Sequence, residues 1–161
     1  MPKATTLTTE RLTLRAIVEG DRTFLLALIS DQNVRRFLGG VASLEQRRVA
    51  VSNYLAFNTE GTTWIVENGS QQIGLISIGQ HQDGAGAELS YQFHPGFWGR
   101  GYATEAAKAV KDYFLDQRGR QALLAETQTA NVASRHLLEA LGMKELRRLK
   151  RFGAEQILYI L

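Results

Sequence analysis

With 161 residues the chain is long enough for one domain with a full hydrophobic core and too short for two of ordinary size, so a single domain over residues 1–161 is expected. Its 44% hydrophobic and 22% charged residues argue against disorder, and a net charge of +3 is too mild for a dedicated nucleic-acid binder. The absence of cysteine excludes disulfides, thiol catalysis and thiolate metal sites, and three scattered histidines (His81, His94, His136) argue against a metal centre.

No apolar run approaches the roughly 20 residues of a membrane helix, and the first residues lead into no signal-peptide core, so a cytoplasmic protein with no membrane partner is expected. The arginine pairs Arg35-Arg36, Arg47-Arg48 and Arg147-Arg148 read as solvated faces, or as attraction for a phosphorylated cofactor or an acidic protein surface. A homodimer is compatible with the sequence, which sets no oligomeric state.

Within residues 7–16, Leu12 and Leu14 alternate with Arg11, Thr13 and Arg15, the period of a half-buried strand. Residues 19–29 read as a helix with Phe24, Leu25, Leu28 and Ile29 on one face, and Gly39-Gly40 interrupt the next stretch. Ser43 opens a second helix: it can cap the N-terminus with Gln46 three residues on, and Val49, Val51, Tyr54 and Leu55 supply apolar contacts. Strands at 62–67 and 72–79 flank Asn68-Gly69-Ser70, with Asn-Gly expected at the central turn positions, where both take positive φ.

Asp83-Gly84-Ala85-Gly86 then turns the chain into a strand at 87–93. A long helix begins near Thr104, with Ala106, Ala107, Val110, Tyr113 and Phe114 as its apolar stripe and Lys108, Lys111 and Asp112 left for solvent. A strand at 122–127, a helix at 131–141 ended by Gly142, and strands at 144–150 and 154–160 complete the chain. Trp64 reads as core, and His81 and His94 as loop residues.

The informative turn is Trp98-Gly99-Arg100-Gly101-Tyr102-Ala103, between the strand at 87–93 and the long helix. Glycines there let backbone N–H groups approach a ligand, and the helix's first turn adds unpaired N–H groups and a positive dipole end, a setting for pyrophosphate. A Walker loop would need Lys-Ser/Thr after its last glycine, and a dinucleotide fingerprint needs three glycines and a distant acid. Neither is present.

What remains, Gly-x-Gly-x-Ala, resembles the coenzyme A loop of the GCN5-related N-acetyltransferases (GNAT), with Gly101 and Ala103 matching its consensus. Trp98 stands where Gln or Arg usually leads, as in the RimJ/RimL-type branch that acetylates protein N-terminal amines. About thirty residues on, the stretch from Asn131 through Ser134, Leu138, Glu139 and Leu141 to Gly142-Met143 is similar to the family's second signature, with Met143 in place of Phe. Asn131 is a favourable cap, Ser134 lies one turn inside on nearly the same face, and Leu137, Leu138 and Leu141 point inward.

The resemblance implies an α/β fold: a mixed, mostly antiparallel sheet of about seven strands and four helices, its two central parallel strands splayed apart to admit acetyl-CoA. It implies that Tyr91, Gln92 and Phe93 bind the cofactor through their main chain. Trp98, Gly99, Arg100, Gly101, Tyr102, Ala103 and Thr104 would hold its diphosphate, and Asn131 would bind it or a bridging water. Many relatives protonate the departing thiolate with a tyrosine whose position is occupied here by Leu138, which leaves Ser134 as the candidate.

Glu88 stands where relatives carry a carboxylate and is the candidate base, with orienting a neighbour or pairing with an arginine as its structural alternatives. An α-amine, with a pKa of about 8, needs less help from a base than lysine at about 10.4. The favoured reading is transfer of acetyl to a protein N-terminal α-amine, with the link at residues 31–43 shaping the acceptor site. A small amine as acceptor (polyamine, amino acid or antibiotic) and a non-catalytic coenzyme-binding domain are the alternatives.

Overall fold

The computed structural model describes residues 4–56, 62–84, 86–119 and 121–161. Ala85 of the expected glycine-rich turn lies outside these. The strands are β1 (Leu7–Thr8), β2 (Thr13–Ala16), β3 (Thr63–Asn68), β4 (Gln71–Gln80), β5 (Ala87–Phe93), β6 (Leu123–Gln128), β7 (Lys144–Arg151) and β8 (Ala154–Ile160). They form one sheet in the order β1-β2-β3-β4-β5-β6-β8-β7. Every neighbouring pair is antiparallel except β5 and β6.

The α-helices are α1 (Arg22–Ile29), α2 (Gln32–Arg35), α3 (Leu44–Ala56), α4 (Tyr102–Arg118) and α5 (Val132–Ala140). Alternation along the central strands divides the apolar residues between two faces. Trp64, Val66, Ile76, Leu89 and Phe93 pack with Ala106, Val110 and Phe114 of α4 and Leu137 and Leu138 of α5. Ile65 and Leu75, on the opposite face, pack with Leu25, Leu28 and Ile29 of α1 and Val51 of α3. Both faces of the sheet centre are therefore covered, which explains the continuous apolar runs in β3 and β4.

Several elements differ from the sequence expectation. Residues 7–16 are not one strand but a hairpin, with Leu7 opposite Leu14. Its turn contains no glycine or proline and is closed by Thr9, whose hydroxyl accepts from the Leu12 N–H at 3.0 Å. The β3–β4 turn is centred on Gly69-Ser70, because Asn68 pairs with Gln71. Asn68 stays in the ladder, and its Nδ2 donates to the Tyr102 hydroxyl at 2.9 Å.

The short helix α2 occupies part of the expected link, capped by Asp31, whose carboxylate accepts from the N–H groups of Asn33 and Val34. Ser43 and Gln46 form the expected reciprocal cap, but Val49 on α3 faces solvent. Lys111 is drawn from solvent: its Nζ donates to the Leu141 carbonyl at 3.3 Å, tying α4 to the end of α5. His81 lies in the β4–β5 loop as expected, and it is buried there.

Candidate active site

β5 and β6 pair only at Ala87 with Leu123 and Glu88 with Leu124; beyond these residues the ladder stops and the sheet opens. The His94 N–H donates to the Ile73 carbonyl at 2.8 Å, in register with the β4–β5 ladder. Main-chain groups of alternate residues in a strand point to opposite sides. Gln92 therefore turns its N–H and C=O toward β4, whereas Leu89, Tyr91 and Phe93 turn theirs toward the opening.

The Gln92 main chain is thus spent on β4 rather than turned to the opening as expected, and its side-chain oxygen accepts from Arg35 at 3.3 Å. Phe93 is seated by its neighbour: a Cβ at Gly74 would lie 2.6 Å from its ring, so only glycine fits opposite it. Its carbonyl, on the open side, accepts from the Trp98 indole N–H at 2.8 Å. Trp98 thus fastens the glycine turn to the strand end.

In that turn Gly99 and Gly101 have φ of 74° and 79°, values that side-chain-bearing residues rarely adopt. Gly101 precedes α4 and offers no side-chain cap, so the N–H groups of Tyr102, Ala103 and Thr104 have no acceptor among the described residues and can take one from outside. The Glu105 N–H already bonds the Gly101 carbonyl at 3.0 Å. Arg100 is exposed and has no carboxylate partner among the described residues, its guanidinium lying 5.8 Å from the centre of the Phe97 ring. Two positive-φ glycines, a run of free donors and an unpaired cation make a cradle that fits a diphosphate.

A strut invisible in the sequence holds the cradle. Arg11, from the β1–β2 turn, pairs with Glu105 at 2.7 Å and donates to the Arg100 carbonyl at 2.9 Å. Its guanidinium also lies 4.3 Å over the Tyr102 ring. The Thr9 hydroxyl donates to the same Glu105 carboxylate. Partial burial raises the Glu105 pKa, but the hydrogen bonds from Thr9 and Arg11 outweigh it, and the net shift is downward.

Ser134 and Tyr91 meet on the α4–α5 face of the opening. The Asn131 side chain caps α5 by accepting the Ser134 N–H at 3.2 Å, which sets Ser134 in the first turn facing the sheet. Its Oγ lies 2.5 Å from the Tyr91 phenolic oxygen. Burial raises the Tyr91 pKa to about 12, against the opposing pull of the Ser134 hydrogen bond, so at neutral pH the phenol keeps its proton. Sequence reasoning assigns Tyr91 only a main-chain role and misses this contact. Leu138 is core at 1% exposure.

Glu88 occupies the fork itself, on the opposite face from Tyr91. Burial raises its pKa, and the nearby Glu126 charge adds to the rise while His81 opposes it. Glu88 is in no ion pair among the described residues, but it accepts from the Glu126 N–H, so orienting that neighbour remains an alternative to acting as a base. Glu126 carries the arginine instead: Arg151 Nε lies 2.8 Å from one carboxylate oxygen and His81 Nε2 2.9 Å from the other. Glu88 has no such side-chain partner among the described residues, and the rise from burial is only partly offset by the Glu126 N–H and the Arg151 charge.

A family model for acetyltransferase (GNAT) domains matches residues 11–144. The chain is 30% identical to an uncharacterized N-acetyltransferase, YoaA, of Bacillus subtilis, over 86% of this chain and 82% of that protein. Its fold is similar to a solved acetyltransferase from Agrobacterium tumefaciens, with a TM-score of 0.85 and 25% identity, covering 100% of this chain and 96% of that one. It is also similar to RimL, a ribosomal L7/L12 α-N-protein acetyltransferase solved with coenzyme A, with a TM-score of 0.80, 17% identity, and coverage of 98% and 97%. The chain belongs to the GNAT family of acetyltransferases, whose acetyl donor is acetyl-CoA.

Proposed function

We propose that this protein transfers acetyl from acetyl-CoA to a primary amine, and that the acceptor is the α-amine at a protein or peptide N-terminus. The observation that carries this reading is the placement of two proton-handling sites on opposite faces of one opening: the Glu88 carboxyl on one, the Tyr91–Ser134 hydroxyl pair on the other.

Aminolysis of a thioester requires a neutral amine, a polarised carbonyl and a proton for the departing sulfur. The cradle of Gly99, Arg100, Gly101 and the first turn of α4 would bind the diphosphate, and the N–H groups of Tyr91 and Phe93 would orient the acyl arm along β5. Glu88, with its pKa raised by burial, is suited to take the amine's proton directly or through water. Ser134 can donate its hydroxyl proton to the departing sulfur and take one from Tyr91. Solvent entering the open site after product release returns a proton to the phenol and removes the one on Glu88.

A carboxyl base matches an α-amine, already partly neutral near pH 7, better than it matches lysine. The likeness to RimL, which acts on the α-amine of L7/L12, supports the same acceptor class. The test is thiol release from acetyl-CoA with a panel of peptides and small amines, then mass spectrometry of the products. Acetyl on peptide α-nitrogens is expected; transfer to small amines alone would replace the acceptor, and no thiol release with any amine would overturn the enzyme reading.

A further inference from the structure

Ten of the fourteen arginines divide into two groups by their partners. Arg11, Arg15, Arg22, Arg147, Arg148 and Arg151 each pair with a carboxylate. Arg35, Arg36, Arg47 and Arg48, all between the start of α2 and the middle of α3, have no carboxylate within ion-pair distance among the described residues.

Arg35 is the member of this group that reaches the active site. It is half-buried, and its guanidinium touches only neutral acceptors: Nε bonds the Gly40 carbonyl at 3.1 Å, Nη2 the Leu38 carbonyl at 2.6 Å and Nη1 the Gln92 side-chain oxygen at 3.3 Å. Gln92 pairs in register with Leu75, whose side chain lies in the core under α1 and α3, so Arg35 stands on the same face of the sheet as Glu88. Its contact on β5 lies between Tyr91 and Phe93, whose N–H groups face the opening. The Tyr54 phenol, buried and with a pKa raised by that burial, lies close enough to Arg35 and Gln92 to interact with both.

A guanidinium withdrawn from water and given only carbonyl and amide partners keeps its full charge and retains N–H groups able to bind an oxyanion. Burial lowers the Arg35 pKa from its ordinary value, the direction expected of a cation lacking a counter-charge. The diphosphate cradle lies at the N-terminus of α4, a helix packed on the other face, so the anion that completes Arg35 would come with the acceptor.

We infer that the acceptor is an amine carrying a carboxylate near its nitrogen, held by Arg35 at Gln92 while the amine faces the opening between Tyr91 and Phe93, with Glu88 reached through water. The proposal rests on the transferase reading above and narrows its substrate class. Two sources supply this chemistry: the α-carboxylate of a free amino acid, and an acidic side chain at the first or second position of a peptide. Arg36, Arg47 and Arg48 would draw such an acceptor toward the site without touching it.

The experiment measures kcat/KM with acetyl-CoA for two matched pairs: a free amino acid against its primary amide, and a peptide beginning with Asp against one beginning with Asn. In the wild-type protein the charged member of one pair is expected to be favoured by roughly ten- to a hundredfold, the range of a charge-assisted hydrogen bond. Which pair responds identifies the source.

Arg35→Gln is expected to erase that preference while the acetyl-CoA Kd stays unchanged. Equal kcat/KM within both pairs in the wild type, a measurement that needs no variant, overturns the proposal. So does a preference that survives Arg35→Gln, or a weakened acetyl-CoA Kd, which would assign Arg35 to the cofactor. Turnover of neutral amines with no preference sinks only this inference, whereas no thiol release from any amine sinks the transferase reading and this inference with it.

Discussion

The Tyr91–Ser134 contact is open to a double-mutant cycle. The two oxygens lie 2.5 Å apart, within hydrogen-bond distance, and Ser134 is 9% exposed. Ser134→Ala leaves the Tyr91 hydroxyl without that partner, and a buried polar group so orphaned costs about 1–3 kcal/mol. In a chain of this size that corresponds to a fall in Tm of roughly 2–12 °C. Removing both hydroxyls, in Tyr91→Phe with Ser134→Ala, leaves neither group unsatisfied and is expected to recover much of that loss.

Turnover obeys a different arithmetic. If the pair passes one proton to the sulfur, either single change removes the relay, at a cost of roughly a hundredfold or more in kcat. The double variant is then no worse than Ser134→Ala alone, since groups acting as one unit do not add. The assays are thermal unfolding of the four proteins and thiol release at saturating acetyl-CoA. Losses in kcat that multiply across the two changes would refute a shared relay, and unchanged kcat in both singles would remove the pair from the mechanism.

Gly101→Asp combines a strained positive φ with a like charge beside the diphosphate, and a repulsion of a few kcal/mol at an effective dielectric near 20 is expected to weaken acetyl-CoA binding by roughly tenfold or more; equal affinity by calorimetry would contradict the cradle. Because burial raises the Glu88 pKa above its ordinary 4.5, the acid limb of the kcat/KM profile is expected above that value and should vanish in Glu88→Gln. Asp21, 1% exposed, bonds Arg15 at 2.8 and 2.9 Å as well as the Val18 N–H and Gln72. Asp21→Asn is expected to cost about 3 kcal/mol by urea unfolding at pH 7.

The pH dependence of that last loss has a definite sign. Burial raises the Asp21 pKa, but its Arg15, Val18 and Gln72 bonds outweigh burial and bring it below the ordinary 3.8. The contribution is therefore present above the unfolded carboxylate range and disappears as pH falls through the depressed folded value. A wild-type advantage that stayed constant as pH fell below the unfolded carboxylate range would contradict the assignment.

Local chemistry wrote much of this protein directly into its sequence. The glycine turn before α4, the Asn131 cap, the Ser43–Gln46 cap and the strand and helix periods are set by interactions within a few residues, so they are legible as spacing. The β1–β2 hairpin, which has no glycine or proline, and the shift of the β3–β4 turn to Gly69-Ser70 depend on cross-strand partners and are not. Contacts between residues far apart in the chain fall outside spacing altogether. Tertiary packing alone brings the Tyr91 phenol to Ser134, pairs Arg151 with Glu126 rather than with Glu88, braces the cradle with Arg11 and leaves Arg35 without a carboxylate among the described residues, because each depends on which strands open and which face a side chain takes.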